Sequence, residues 1–119
     1  MRILVLEDEP LLAMMLEECL EELGHELAGS AASVEQAFQL LDEATFPPDF
    51  ALLDFSLGGQ TNSLPVARRL RAQGVPFAYL TGHTSLDAES DVPPAPILSK
   101  PFSFEQLEEA IRSAKLTAC

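Results

Sequence analysis

The chain has 119 residues, 47% of them hydrophobic, with a formal charge of −12 and a pI near 4.3. That length suits one domain, residues 1–119, with one sizeable core; no apolar run nears the roughly 18 residues of a membrane span, and the N-terminus lacks the basic region and cleavage site of a secretory signal. The negative charge argues against nucleic-acid and membrane partners and for basic protein surfaces or divalent cations, so the chain reads as soluble and cytoplasmic.

Arg2-Ile3-Leu4-Val5-Leu6 reads as a strand buried on both faces, and it stops at Glu7-Asp8-Glu9-Pro10. Pro10 suits the first turn of a helix whose buried stripe is Leu12, Met15, Leu16, Cys19 and Leu20, ending at Gly24. Acids at that helix start have a purely local explanation, since they complement the positive end of the helix dipole. The two cysteines form no framework: Cys19 falls on the apolar stripe and Cys119 is the last residue. His25 to Gly29 is a weak, half-polar strand suited to a sheet edge. Ser33-Val34-Glu35-Gln36 is a capping box opening a helix with Val34, Ala37, Phe38 and Leu41 buried, and Pro47-Pro48 closes that unit.

The stretch Phe50-Ala51-Leu52-Leu53-Asp54-Phe55-Ser56-Leu57-Gly58-Gly59 is a third buried strand with Asp54 where it surfaces. In an open parallel sheet the carboxyl ends of the strands carry the ligand crevice, so Asp54 is placed to meet groups from neighbouring strand ends. After a polar loop, Ser63 and Pro65 read as N-cap and first turn of a helix carrying Leu64, Ala67 and Leu70 or Arg71 on to Gly74. Arg68, Arg69 and Arg71 read as a solvated face of that helix.

Val75 to Leu80 is a fourth strand, ending in Thr81-Gly82-His83. A threonine there can simply close its own turn. From Thr84 to Asp91 only Leu86 is apolar at a usable spacing, and Pro93, Pro94 and Pro96 follow, so no stable amphipathic helix is encoded. The segment His83 to Pro96 is therefore expected to be mobile and to supply switching and partner surface. Pro96 to Ser99 is a short fifth strand leading into Lys100-Pro101-Phe102. Ser103-Phe104-Glu105-Gln106 repeats the capping box before a last helix with Phe104, Leu107, Ala110, Ile111 and Ala114 buried.

Alternating strands and helices predict a doubly wound α/β fold with a parallel sheet covered on both faces. Such a sheet brings Glu7 and Asp8, Asp54, Thr81 and Lys100 to one rim, where the separate local explanations become a set of coincidences. Clustered carboxylates call for a hard divalent cation, and Mg²⁺ fits best. A hydroxyl and an ammonium can hold the oxygens of a transferring phosphoryl group, and the Asp54 carboxylate can attack its phosphorus.

Leu6-Glu7-Asp8-Glu9-Pro10, Leu53-Asp54 with Gly58-Gly59, Thr81-Gly82 and Ser99-Lys100-Pro101-Phe102 together resemble the CheY-like receiver domain of bacterial two-component response regulators. The resemblance spans essentially the whole chain. It implies five parallel strands in the flavodoxin-like order 2-1-3-4-5, with a sensor histidine kinase or phosphotransfer protein as phosphodonor and Asp54 as acceptor. It further implies Mg²⁺ on Asp8, Asp54 and the Ser56 carbonyl, with Glu7 supporting through water. Thr81, next to Gly82, and Lys100 would contact the phosphoryl oxygens, and the Lys100-Pro101 bond would be cis. The chain departs from the family at Ile97, where an aromatic switch residue is usual, and in a short segment between Thr81 and Lys100 that leaves the fourth helix short or absent. Both departures, with Pro76 to Gly82, resemble stand-alone receivers of the FATGUY type, and the chain is expected to be complete, without an output domain.

Other readings fit less well. A haloacid-dehalogenase-type phosphatase would carry a second Asp at position 56, where this chain has Ser56. A flavodoxin loop would wrap a phosphate that Glu7-Asp8-Glu9 repels, and no Gly-Lys-Ser/Thr follows any strand to make a P-loop. A receiver-like adaptor that only binds a downstream protein is the non-phosphorylated alternative. The domain is not expected to be an enzyme with a separate substrate.

Overall fold

The computed structural model describes residues 2–55, 63–81, 97–99 and 103–117. In chain order these form β1 (Arg2–Leu6), α1 (Pro10–Glu22), β2 (Glu26–Ala31), α2 (Val34–Glu43), β3 (Phe50–Asp54), α3 (Leu64–Ala72), β4 (Phe77–Thr81), β5 (Ile97–Ser99) and α4 (Phe104–Thr117). All strands pair in parallel in one sheet of order β2-β1-β3-β4-β5, as expected. The order reverses between β1 and β3, which makes their carboxyl ends the switch point where such sheets bind ligands. The expected short or absent fourth helix and the rest of residues 83–96 lie outside the described residues.

Successive strand residues face opposite sides of the sheet, and this divides the core into two layers. Ile3, Val5, Phe50, Leu52, Ala78 and Leu80 pack with Leu16 and Leu20 of α1 and Leu107 and Ile111 of α4. Leu4, Leu6, Ala51, Leu53, Phe77 and Tyr79 pack with Ala37 and Leu41 of α2 and Val66 and Leu70 of α3. Each fully buried Leu or Phe contributes roughly 1.5–3 kcal/mol, so β1 and β3, sealed on both faces, form a rigid base for the residues at their ends.

The helix ends follow their sequence signals closely. Ser103 accepts from the Gln106 N–H at 3.1 Å while the Gln106 side chain accepts from the Ser103 N–H at 2.8 Å, a complete capping box. Ser33 accepts from the Gln36 N–H at 3.2 Å, but Gln36 reaches one residue further back, to the Ala32 N–H at 2.8 Å. Gly24 and Gly74 take φ of 85° and 75°, and the N–H groups of Gly24, His25, Gly74 and Val75 return to Glu21, Leu20, Arg71 and Leu70 at 2.9 to 3.1 Å. These pairs close α1 and α3 with the six-to-one and five-to-two bonds of a Schellman motif.

Several expectations need correction. On α1 the buried residues are Ala13, Leu16 and Leu20; Leu12 and Cys19 are half-covered, and Met15, 54% exposed, turns outward beside Leu11 and Met14. Ala13-Leu16-Leu20 keeps the three-and-four spacing as well as the predicted set does, and the small alanine suits a close approach to the sheet. Ser63 holds the N-cap position of α3 with Pro65 in the first turn, as expected, and its carbonyl accepts from the Ala67 N–H at 2.9 Å, but its side chain makes no cap bond: at φ −89°, ψ 7° it lacks extended N-cap geometry, and its buried hydroxyl has no hydrogen-bond partner among the described residues. The arginine face of α3 is only partly solvated, because Arg69 pairs with Asp42 of α2 at 2.8 Å and lies 5.8 Å over the Phe38 ring. No helix among the described residues is long and apolar enough to cross a membrane.

Candidate metal centre at the carboxyl end of the sheet

Glu7 and Asp8 sit directly after β1, and α1 starts three residues later at Pro10. The Glu7 N–H donates to the carbonyl oxygen of Ala31, the last residue of β2, at 2.9 Å, which fixes the start of the acidic loop to the neighbouring strand. Glu9 occupies the N-cap of α1 without a side-chain cap bond, and no acid lies in the helix's first turn. The local helix-dipole explanation is thereby weakened for the acids as a group.

Asp54 closes β3, the strand beside β1. It is in phase with Phe50 and Leu52, as Glu7 is with Ile3 and Val5, so both acids lie on the α1 and α4 side of the sheet. Carboxylate oxygens of Glu7, Asp8 and Asp54 come within 4.8 Å of one another; Glu7 and Asp54 are buried and Asp8 is half-buried. Ionised carboxylates at that spacing repel by roughly 3 kcal/mol per pair at an effective dielectric near 20. The donor set is all oxygen, which suits a hard cation and not a soft one.

The remaining predicted residues meet the structure unevenly. Thr81 pairs with Ser99 across β4 and β5, so those strands end at the same rim as β1 and β3, and Lys100 follows Ser99 in the chain. Only the backbone of Thr81 and Ile97 is described, and Ser56, Gly82, Lys100 and Pro101, together with the expected cis bond between the last two, lie outside the described residues.

Two features near this rim were missed from the sequence. Leu11, Met14 and Met15 are 72%, 55% and 54% exposed on the first turns of α1. The signal was present, since Leu11 to Leu16 is apolar at every position and one stripe cannot bury six consecutive helical residues. Tyr79 is buried in β4, and burial pushes its phenol up to about 12 although Arg68 and Arg71 on α3 pull the other way. Its ring stands edge-on to Phe55 and Phe77, with centroids 6.0 and 5.5 Å apart.

The family model for the response regulator receiver domain matches residues 3–112. Over 114 residues the chain is 32% identical to the phyllosphere-induced regulator PhyR of Methylorubrum extorquens, covering 94% of this chain and 42% of that protein. The chain spans about half the length of the curated relatives it matches. SdrG of Sphingomonas melonis shares the fold at a TM-score of 0.81 and 37% identity, over 97% of this chain and 95% of that one. A variant of the anti-anti-sigma factor PhyR from Bartonella quintana gives 0.81 at 26% identity, over 98% of this chain and 48% of that one. With its parallel sheet, its acidic strand ends and this match over nearly its whole length, the chain belongs to the response regulator receiver domains, a family of signalling domains.

Proposed function

We propose that residues 1–119 form one cytoplasmic receiver domain in which Asp54 accepts a phosphoryl group, with Mg²⁺, from the phosphohistidine of a sensor histidine kinase or phosphotransfer protein. The observation that carries this reading is the gathering of the Glu7, Asp8 and Asp54 carboxylates within 4.8 Å where β3 ends. In the transfer, an Asp54 carboxylate oxygen bonds to phosphorus as the P–N bond breaks, and a proton on the ring's other nitrogen lets the donor leave as neutral imidazole. Asp8, Asp54 and the Ser56 carbonyl would hold Mg²⁺, with Glu7 behind them through water. Bound there, the cation offsets the carboxylate repulsion and the charge on the phosphoryl oxygens. The Thr81 hydroxyl and Lys100 ammonium are assigned to those oxygens, which disperse charge in the transition state. The domain promotes its own phosphorylation and hydrolysis and acts on no separate substrate.

A second reading, an adaptor that works by protein binding alone, draws on the Bartonella quintana relative, which is named an anti-anti-sigma factor. A downstream protein target is compatible with phosphorylation; the adaptor reading replaces it only if Asp54 takes no label. Incubation with each candidate kinase, ATP and Mg²⁺ tests this directly. Transfer of label to the wild type and none to Asp54→Asn supports phosphorylation, whereas no transfer from any donor, small phosphodonors included, favours the adaptor.

A further inference from the structure

Basic charge is concentrated on one helix of this acidic chain. Three of its seven lysines and arginines, Arg68, Arg69 and Arg71, lie on α3, which carries no acid. Arg69 turns towards Asp42 and Phe38 of α2, whereas Pro65, Arg68, Arg71 and Ala72 are exposed along one stripe. α1 has the opposite character, with Glu17, Glu18, Glu21 and Glu22 near its end and no base. Its exposed stripe runs from Leu11, Met14 and Met15 to Glu18, Glu21 and Glu22, apolar at one end and acidic at the other. Glu17 with Glu21 and Glu18 with Glu22 are like charges one turn apart at the negative end of the helix dipole, and none of the four has an ion-pair partner among the described residues. In the isolated chain this arrangement costs helix stability, and a basic surface laid along it offsets that cost. α1 packs on the Ile3 and Val5 face of the sheet and α3 on the Leu4 and Leu6 face, so the arginines of one chain cannot reach its own α1.

We propose that α3 of one chain docks along the exposed stripe of α1 of a second copy, setting Arg68 and Arg71 against Glu18, Glu21 and Glu22 and covering the apolar end of the stripe. Arginine suits the role, since its planar fork matches a carboxylate and its stem lies along apolar surface, and methionines repack against an uneven neighbour. Each copy carries −12, but at about 0.15 M salt the Debye length is about 8 Å against a molecule 31 to 35 Å across. Repulsion between the net charges is therefore screened, and the ion pairs in contact decide. Because the two surfaces differ, the contact is heterologous, and every assembly ends in an open α1 and an open α3. Sedimentation at that salt, from about 10 μM to about 1 mM protein, tests this. The weight-average mass of the wild type should rise continuously with concentration. Arg68→Glu with Arg71→Glu, and separately Glu18→Lys with Glu21→Lys, should each stay monomeric, because each sets like charges against each other. Mixed in equal amounts the two variants should associate again, since each then offers the other a complementary helix. A wild type that remains monomeric throughout overturns the proposal, as does association that survives either reversal or a mixture that stays monomeric. A monomeric wild type whose labelling by a protein phosphodonor falls when Arg68 and Arg71 are reversed would overturn it too, and would assign the arginines to that donor. All four substituted residues are exposed; should one variant not fold, the wild type and the other variant decide.

Discussion

Glu7 is held to Ala31 through its own backbone, the N–H of the first residue after β1 donating to the carbonyl of the last residue of β2 at 2.9 Å. The acidic loop is thus anchored by the sheet itself, and its carboxylates meet Asp54 only in the folded chain.

Mg²⁺ should therefore bind the native state and not the unfolded one. Linkage gives about 2.7 kcal/mol of stabilisation at a hundredfold excess over Kd. Thermal unfolding with and without Mg²⁺ checks this: Tm should rise with Mg²⁺ in the wild type, and Asp8→Ala should abolish the dependence. A wild-type Tm indifferent to Mg²⁺ counts against the site.

The exposed Leu11, Met14 and Met15 lie just beyond the acidic loop, where, on the proposed phosphorylation, a protein bringing a phosphohistidine to Asp54 would approach. Replacing Leu11 and Met15 by glutamate should slow transfer from a protein donor by about tenfold or more, the loss of roughly 1.4 kcal/mol of contact. Labelling by acetyl phosphate, which needs no docking surface, should stay unchanged. Equal losses with both donors would show that the substitutions damage the site and not the docking.

Tyr79 makes the fold sensitive to strong alkali. Its phenol is raised from 10.0 to about 12 by burial, so between those values the native state holds a proton that the unfolded chain has lost. The stabilisation is complete below the unfolded value and disappears as pH rises through the folded one, at about 1.4 kcal/mol per pH unit. Urea midpoints across that range should fall in the wild type by more than in Tyr79→Phe. Parallel slopes would mean that the phenol titrates in the fold as it does in water.

The rim was legible because buried apolar runs end abruptly in charge: Leu6 gives way to Glu7 and Leu53 to Asp54, and burial on both faces fixes where those acids emerge. Gly24, Gly74 and the Ser103-Gln106 box were legible for a similar reason, since each needs only local geometry. The facing of α1 was not, because Leu11 to Leu16 offers apolar residues to every direction and the choice of Ala13, Leu16 and Leu20 depends on how the helix meets the sheet. Arg69 was misread for want of its neighbours, since Asp42 and Phe38 come from another helix; Ser63 was placed correctly at the N-cap of α3, but a chain that returns to Phe55 gives it backbone angles that leave its hydroxyl without a cap bond. Tyr79 looked like one more strand aromatic, and its link to the residue after Asp54 exists only across the sheet.

The most direct test of the account is the intact mass of the protein after treatment with acetyl phosphate and Mg²⁺. The wild type should gain the mass of one phosphoryl group and Asp54→Asn should gain none. An Asp54→Asn protein that acquires the same label at the same rate would contradict the assignment of Asp54 as the acceptor.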